Sequence, residues 1–179
     1  MKKIILILLV AINIYAATYT VEASSSNIKF EASKLMFVGV DGKFEKFSGK
    51  VILDDELNLV SFNGKIKIDS INTNNNTRDT NLKKDDYFYV DNFPYIEVKS
   101  LKVKASVVEV STTIKGITKV LNFTVDKVKV DGSRLVLELS SVVNRQSFML
   151  NGSMSSVIAD DVNVKVELVA YKSENLLVD

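Results

Sequence analysis

Apolar and polar residues alternate along most of this chain. Val60, Phe62, Gly64, Ile66 and Ile68 fall on one side of an extended segment, and Ser61, Asn63, Lys65, Lys67 and Asp69 fall on the other. Val162, Val164, Val166, Leu168 and Ala170 oppose Asn163, Lys165 and Glu167 in the same way. Further stretches of period two cover 28–32, 43–53, 96–105, 108–114, 121–130 and 135–143. Valine, isoleucine, threonine and phenylalanine at alternate positions suit a half-buried pleated surface. The pattern predicts an all-β domain of roughly eight strands, a number at which an antiparallel sheet commonly closes into a barrel. Asp41-Gly42, Asp131-Gly132 and Asn151-Gly152 are expected turns, because these dipeptides accept positive φ at little cost. A solvated connection is expected at Asp54-Asp55-Glu56 and Asn58.

Residues 72–94 break the alternation. A polar run, Asn72 to Thr77, leads into Arg78-Asp79 and then an aromatic-rich stretch, Tyr87, Phe88, Tyr89, Phe93 and Tyr95, around the single proline, Pro94. Thr77 or Asp79 is the expected cap of a short helix running through Asn81 to about Asp86, since a side-chain oxygen there can accept free backbone N–H groups. Pro94 favours an extended Phe93 and suits a strand start. The segment thus reads as a short helical insertion, about 78–90, and an aromatic connector over one end of the barrel.

The first residues belong to a different pattern. Met1-Lys2-Lys3 precedes an almost unbroken apolar run from Ile4 to Ile14, followed by Tyr15-Ala16-Ala17. This is the layout of a secretory signal peptide over 1–16, cleaved after Ala16. The run is shorter than the ~20 residues a membrane-spanning helix requires. The expectation is a single mature domain, 17–179, in the periplasm or secreted, with no transmembrane segment. A membrane barrel would turn the alternation inside out. Lys65, Lys67, Lys102, Lys104, Lys127, Lys129 and Lys165 would then crowd a narrow interior, and the absence of Trp leaves aromatic girdles hard to build.

Composition removes much chemistry. The chain has no Cys and no His, which excludes thiol nucleophiles, thiolate metal sites and the usual triads. Net charge is +1 with no block of one sign, so nothing points to nucleic acid. Asp54-Asp55, Asp85-Asp86 and Asp160-Asp161 lack the spacing of a calcium loop and read as solvated turns. Arg78 and Arg145 stand out in a chain that otherwise prefers lysine. They either bond loop carbonyls and carboxylates or anchor a ligand's polar head. The apolar face, with Phe30, Phe44, Phe47, Phe62 and Phe123, either fills a closed core or lines a cavity. Periodicity does not separate these alternatives.

Several ordered pieces carry a family resemblance. They are Gly42-Lys-Phe44-Glu-Lys-Phe47-Ser-Gly49-Lys-Val51; Ser70-Ile71 with Arg78-Asp79, Leu82, Tyr87-Phe88, Phe93-Pro94-Tyr95-Ile96 and Ser100; Lys115-Gly116-Ile117-Thr118-Lys119; and Asn144-Arg145 with Ser147-Phe148. In this order, from about Tyr19 to Lys172, the chain resembles the YceI-like proteins, exported lipid- or polyisoprenoid-binding proteins. The resemblance implies a lipocalin-like extended eight-stranded antiparallel β-barrel with an apolar tunnel. The implied ligand is a long-chain amphiphile: an isoprenoid quinone, an isoprenyl phosphate or a fatty amide. The chain departs from the family where many members carry histidine, with Asn81 and Lys115 in those places, and has Met149 where glycine is common.

The expected function is therefore non-catalytic binding of an isoprenoid or other long-chain lipid for transport, storage or sequestration, with no cofactor required. Candidate headgroup contacts are Arg78, Asn81 and Arg145. Candidate tunnel residues are Phe30, Phe44, Phe47, Phe62, Ile66, Phe93, Phe123 and Phe148. The rivals are a packed barrel acting through its surface on an envelope partner, and a lipid-modifying enzyme that lacks an acid–base group. The sequence is compatible with a homodimer.

Overall fold

The computed structural model describes residues 16–34, 39–152 and 158–174. The expected leader, except Ala16, lies outside the described residues. Among the described residues eleven strands form one antiparallel sheet: β1 (Ala17–Val21), β2 (Asn27–Lys34), β3 (Val40–Phe44), β4 (Phe47–Leu53), β5 (Leu59–Lys67), β6 (Ile71–Asn72), β7 (Tyr95–Lys104), β8 (Val107–Ile114), β9 (Ile117–Asp131), β10 (Arg134–Asn144) and β11 (Ile158–Lys172). Among the described residues one α-helix, α1 (Asn76–Leu82), stands between β6 and β7.

Six of these strands are the halves of three bent paths. A 3₁₀ turn at Ala23–Ser25 joins β1 to β2, Glu45 and Lys46 separate β3 from β4, and a 3₁₀ turn at Ile68–Ser70 joins β5 to β6. With the halves merged, each path pairs with the next, and β1 also pairs with β11. The result is the expected closed eight-stranded barrel with one short helix.

The backbone ladder of this barrel is interrupted, and serine hydroxyls stand in at four interruptions. Ser26 Oγ accepts the Val169 N–H at 2.9 Å where β11 passes from β2 to β1. Ser70 Oγ accepts the Lys46 N–H at 2.9 Å at the break between β3 and β4. Ser100 Oγ accepts the Phe62 N–H at 2.9 Å where the β5–β7 ladder ends. Ser141 Oγ donates to the Asn122 carbonyl at 2.7 Å where the β9–β10 ladder ends. A hydroxyl can take either role, which satisfies backbone groups that the bent strands leave without a ladder partner.

Some local expectations are corrected. Asp41-Gly42 is not a turn but lies inside β3, where the Phe30 ring covers Gly42 so closely that a Cβ there would clash with it. Gly132 does turn the β9–β10 hairpin, with φ of +58°. A tight turn the alternation did not reveal joins β8 to β9 through Lys115 and Gly116, at φ of +51° and +74°. Val60 faces solvent rather than the interior, because a bulge opposite Ile52/Leu53 turns Leu59 inward instead. Helix α1 begins earlier than expected and is capped by Asn75, whose Oδ1 accepts the Arg78 N–H at 3.0 Å; neither Thr77 nor Asp79 is the cap. Asn151-Gly152 packs beneath the aromatic connector, with the Tyr87 ring over Gly152 and the Asn151 N–H donating to Asp86 O at 3.2 Å.

Candidate functional site

The barrel interior has two halves. At one end Tyr19, Val51, Leu53, Leu59, Val108, Val110, Leu135 and Leu137 pack together, most of them completely buried. At the other end Ile28, Phe44, Ile66, Ile71, Ile96, Ile114, Phe148 and Leu150 form a second cluster. A cavity of about 580 Å3 extends through this second half.

Register explains why the space exists. Gly49, Gly64, Val98 and Thr112 stand directly opposite one another across β4, β5, β7 and β8. The adjacent row towards α1 holds Phe47, Ile66 and Ile96, and the row on the other side holds Val51 and Phe62. A row of small side chains between two rows of large ones leaves the centre unfilled. Gly49, Gly64, Val98 and Thr112 all line the cavity. None was among the candidate residues. Two glycines inside β-branched strands were a visible signal, but their alignment becomes apparent only once the register is known.

Of the candidate tunnel residues, six border the cavity and two lie elsewhere. Phe30, Phe44, Phe47, Phe62, Ile66 and Phe123 line the cavity. Phe93 and Phe148 do not. Phe93 lies over the β8–β9 turn, where a Cβ on Gly116 would meet its ring at 2.7 Å, and it packs edge-on to Tyr89 at 5.9 Å. Phe148 is completely buried in the second cluster beside the cavity.

Helix α1 and the connector roof this half. Leu82, Tyr87 and Phe88 supply apolar surface, and Asn75, Thr77, Arg78 and Asn81 supply polar groups. Phe88 meets Phe44 edge-on at 6.1 Å, and Phe44 lies 5.6 Å from Phe30, so an aromatic series links the roof to the wall. Thr73 anchors the helix. Its hydroxyl accepts from Arg78 Nε at 2.7 Å, its carbonyl accepts from Arg78 Nη2 at 2.6 Å, and its own N–H donates to Asp79 at 3.0 Å. Lys83, just past the helix, pairs with Asp69 at 2.9 Å and holds that carboxyl below its ordinary range.

The three candidate headgroup residues all line the cavity, in different circumstances. Asn81 is exposed at the rim, and Arg78 is half-buried. Arg145 is 6% exposed and is engaged by the protein itself. Its guanidinium donates to the carbonyls of Leu150 at 2.8 Å, Ile158 at 2.9 Å and Ala159 at 3.0 Å, and to Asp160 Oδ1 at 2.9 Å. These bonds tie the end of β10 to the start of β11. Among the two roles open for Arg145, bonding loop carbonyls is the one its geometry displays.

Comparison with known proteins agrees with this architecture. The family model described as a YceI-like domain matches residues 19–170. A UPF0312 protein of Staphylococcus aureus strain USA300 is 31% identical over 140 residues, covering 74% of this chain and 82% of that one. Among solved structures, BcnA of Burkholderia cenocepacia superposes with a TM-score of 0.73 at 23% identity, covering 84% of this chain and 99% of that one. A polyisoprenoid binding domain from Saccharophagus degradans, implicated in plant cell wall breakdown, gives a TM-score of 0.68 at 18% identity, covering 87% and 98%. These two likenesses show the fold. The YCEI protein of Campylobacter jejuni gives 0.68 at 25% identity, covering 79% and 90%.

Proposed function

The chain belongs to the YceI-like domain family, and we propose from that premise that its barrel is an exported, non-catalytic carrier for a long-chain lipid, an isoprenoid quinone, an isoprenyl phosphate or a fatty amide among them. The observation that carries this reading is the apolar hollow of about 580 Å3 between Phe47, Ile66, Phe62 and Phe123, roofed by α1. That volume lies within the ~300–1,000 Å3 usual for small-molecule sites. Each buried methylene contributes roughly 0.8 kcal/mol, so a tail burying ten of them gains roughly 8 kcal/mol before ordering costs. No acid–base residue is needed to hold an apolar tail, and the chain's lack of histidine does not impair it. The structurally similar Saccharophagus degradans protein is a polyisoprenoid binding domain, which supports the choice of ligand class. Besides Arg145, which the protein's own carbonyls and Asp160 engage, charged groups meet the hollow at Arg78 on α1 and at Lys29 and Lys50 on the barrel side.

The test is native mass spectrometry of the chain expressed with its N-terminal segment, purified from the cell envelope without detergent, followed by lipid extraction. The expected result is one lipid molecule per barrel, with a leader missing after Ala16. A barrel that emerges empty and takes up none of the three lipid types overturns the reading. In that case, action through the outer surface becomes the better account.

A further inference from the structure

The barrel wall is open on one side. The paired residues Thr20 and Lys50 join β1 to β4, and Ile28 and Phe44 join β2 to β3. Between these points, among the described residues, no register partners join the two paths. The reason is local. The first path turns through Ala23–Ser25 and is fastened to β11 instead, with the Glu22 N–H donating to Val169 O at 2.8 Å. Phe47, Ser48 and Gly49 on β4 therefore have no register partner on β1 or β2.

The hollow reaches this gap. Lys29, Ser48, Lys50 and Asn63 are exposed residues, yet they line the same cavity as the buried phenylalanines. Gly49 and Gly64 stand opposite each other beside the gap, and neither carries a side chain to block it. From across the gap Val21 comes closest, its Cγ2 3.5 Å from where a Gly49 Cβ would stand. The geometry accounts for the whole stretch from Gly42 to Gly49. Gly42 makes room for the Phe30 ring, Phe44 and Phe47 wall the hollow, Glu45 and Lys46 break the strand, and Gly49 keeps the gap clear.

The outer rim is cationic. Lys29 stands directly between Lys165 on β11 and Lys43 on β3, three like charges in one row. Such a row is unfavourable in itself. Lys43 is relieved by Glu45 at 3.0 Å, whereas among the described residues neither Lys29 nor Lys50 forms an ion pair. Glu31 and Asp41 face each other on the same surface at the next outward position, and Glu22 lies at the turn with its carboxylate held by Ser24 Oγ at 2.7 Å. Arg78, the cation at the other opening, already spends Nε and Nη2 on Thr73.

We infer that the gap between β2 and β4 is a side window that seats the anionic headgroup of a single-chain lipid on Lys29 and Lys50 while the tail lies in the hollow. This rests on the carrier reading and extends it to the class of head the barrel selects. The head is a carboxylate or a phosphate monoester, and the rim of α1 is not its seat.

The experiment titrates the mature chain with cis-parinaric acid and its methyl ester by fluorescence, and with farnesyl phosphate and farnesol by competition. The wild type binds each anion at least tenfold more tightly than its neutral partner. The double variant K29Q/K50Q loses that preference, weakening the anions about tenfold and leaving the ester and alcohol unchanged, whereas R78Q keeps it. The stronger of the two anions identifies carboxylate or phosphate as the preferred head. The inference is overturned if K29Q/K50Q retains the preference, if R78Q abolishes it, or if the wild type shows none. Failure of all four probes to bind the wild type overturns the carrier reading, and the window with it.

Discussion

The two halves of the barrel interior are built from the same alternation yet end in opposite states. Val51, Leu53, Val108, Val110, Leu135 and Leu137 are fully buried against one another at one end. At the other end Phe47, Ile66 and Ile96 are larger on average, and they surround a hollow. Hydrophobicity does not distinguish the halves. What distinguishes them is one register row of small residues, Gly49, Gly64, Val98 and Thr112. A barrel can thus hold a cavity without any charged residue in this row, provided the missing volume is concentrated there.

Truncation separates the halves most strongly. Leu137→Ala opens a new void in a close-packed cluster and is expected to cost about 2–5 kcal/mol, read as the midpoint of urea unfolding. Ile66→Ala enlarges a space that is already present, so the cavity contribution is smaller and the cost falls to roughly 2 kcal/mol, the bottom of that range. Equal losses at the two sites would mean that the second half is filled in solution.

Filling tests the same contrast from the other direction. Thr112 is buried, lines the hollow, and its hydroxyl makes only a long 3.5 Å bond to Val110 O. Thr112→Leu places two more carbons in the row of small residues and is expected to leave the unfolding midpoint unchanged or raised. Uptake of an apolar-tailed probe should weaken about tenfold, or about 1.4 kcal/mol. Tighter uptake would show that the tail does not occupy this level of the barrel.

Much of this architecture was legible beforehand, and the failures have specific causes. Strands announced themselves because one face is buried and period two follows from the pleat. Phe44 and Phe47, from the family-like stretch, border the hollow. Val60 was assigned to the wrong face because a bulge changes the phase of the alternation without changing composition. Asp41-Gly42 resembled a turn, since glycine's conformational freedom and its lack of a side chain leave the same letter; here the Phe30 ring uses the second property. Phe93 and Phe148 carry the right chemistry, but their placement depends on the Gly116 turn and on Arg145's bonds to the Leu150 and Ile158 carbonyls. Register across strands is a tertiary fact, and the cavity depends on it.

The smallest expected effect concerns what holds the roof over the hollow half. Lys83 follows α1, and Asp69 sits in the 3₁₀ turn between β5 and β6, so their 2.9 Å pair tethers the helix to the wall. The Lys83 hydrogen bond, then its charge, lowers the Asp69 carboxyl below its ordinary value, with Lys67 and Lys46 adding to the effect. A carboxyl whose folded value is lowered contributes stability that is complete above the unfolded value of roughly 3.9 and is lost as pH falls through the folded value. Hydrogen exchange at residues 76–92, corrected for intrinsic rates, should therefore quicken as the pH drops below the carboxylate range. Asp69→Asn should show the quickened exchange already at neutral pH and change less on acidification. Because the pair is solvent-exposed, added salt should move the wild type in the same direction. Superimposable pH profiles for the two proteins would show that the roof is held by the Thr73 anchor and its aromatic contacts alone.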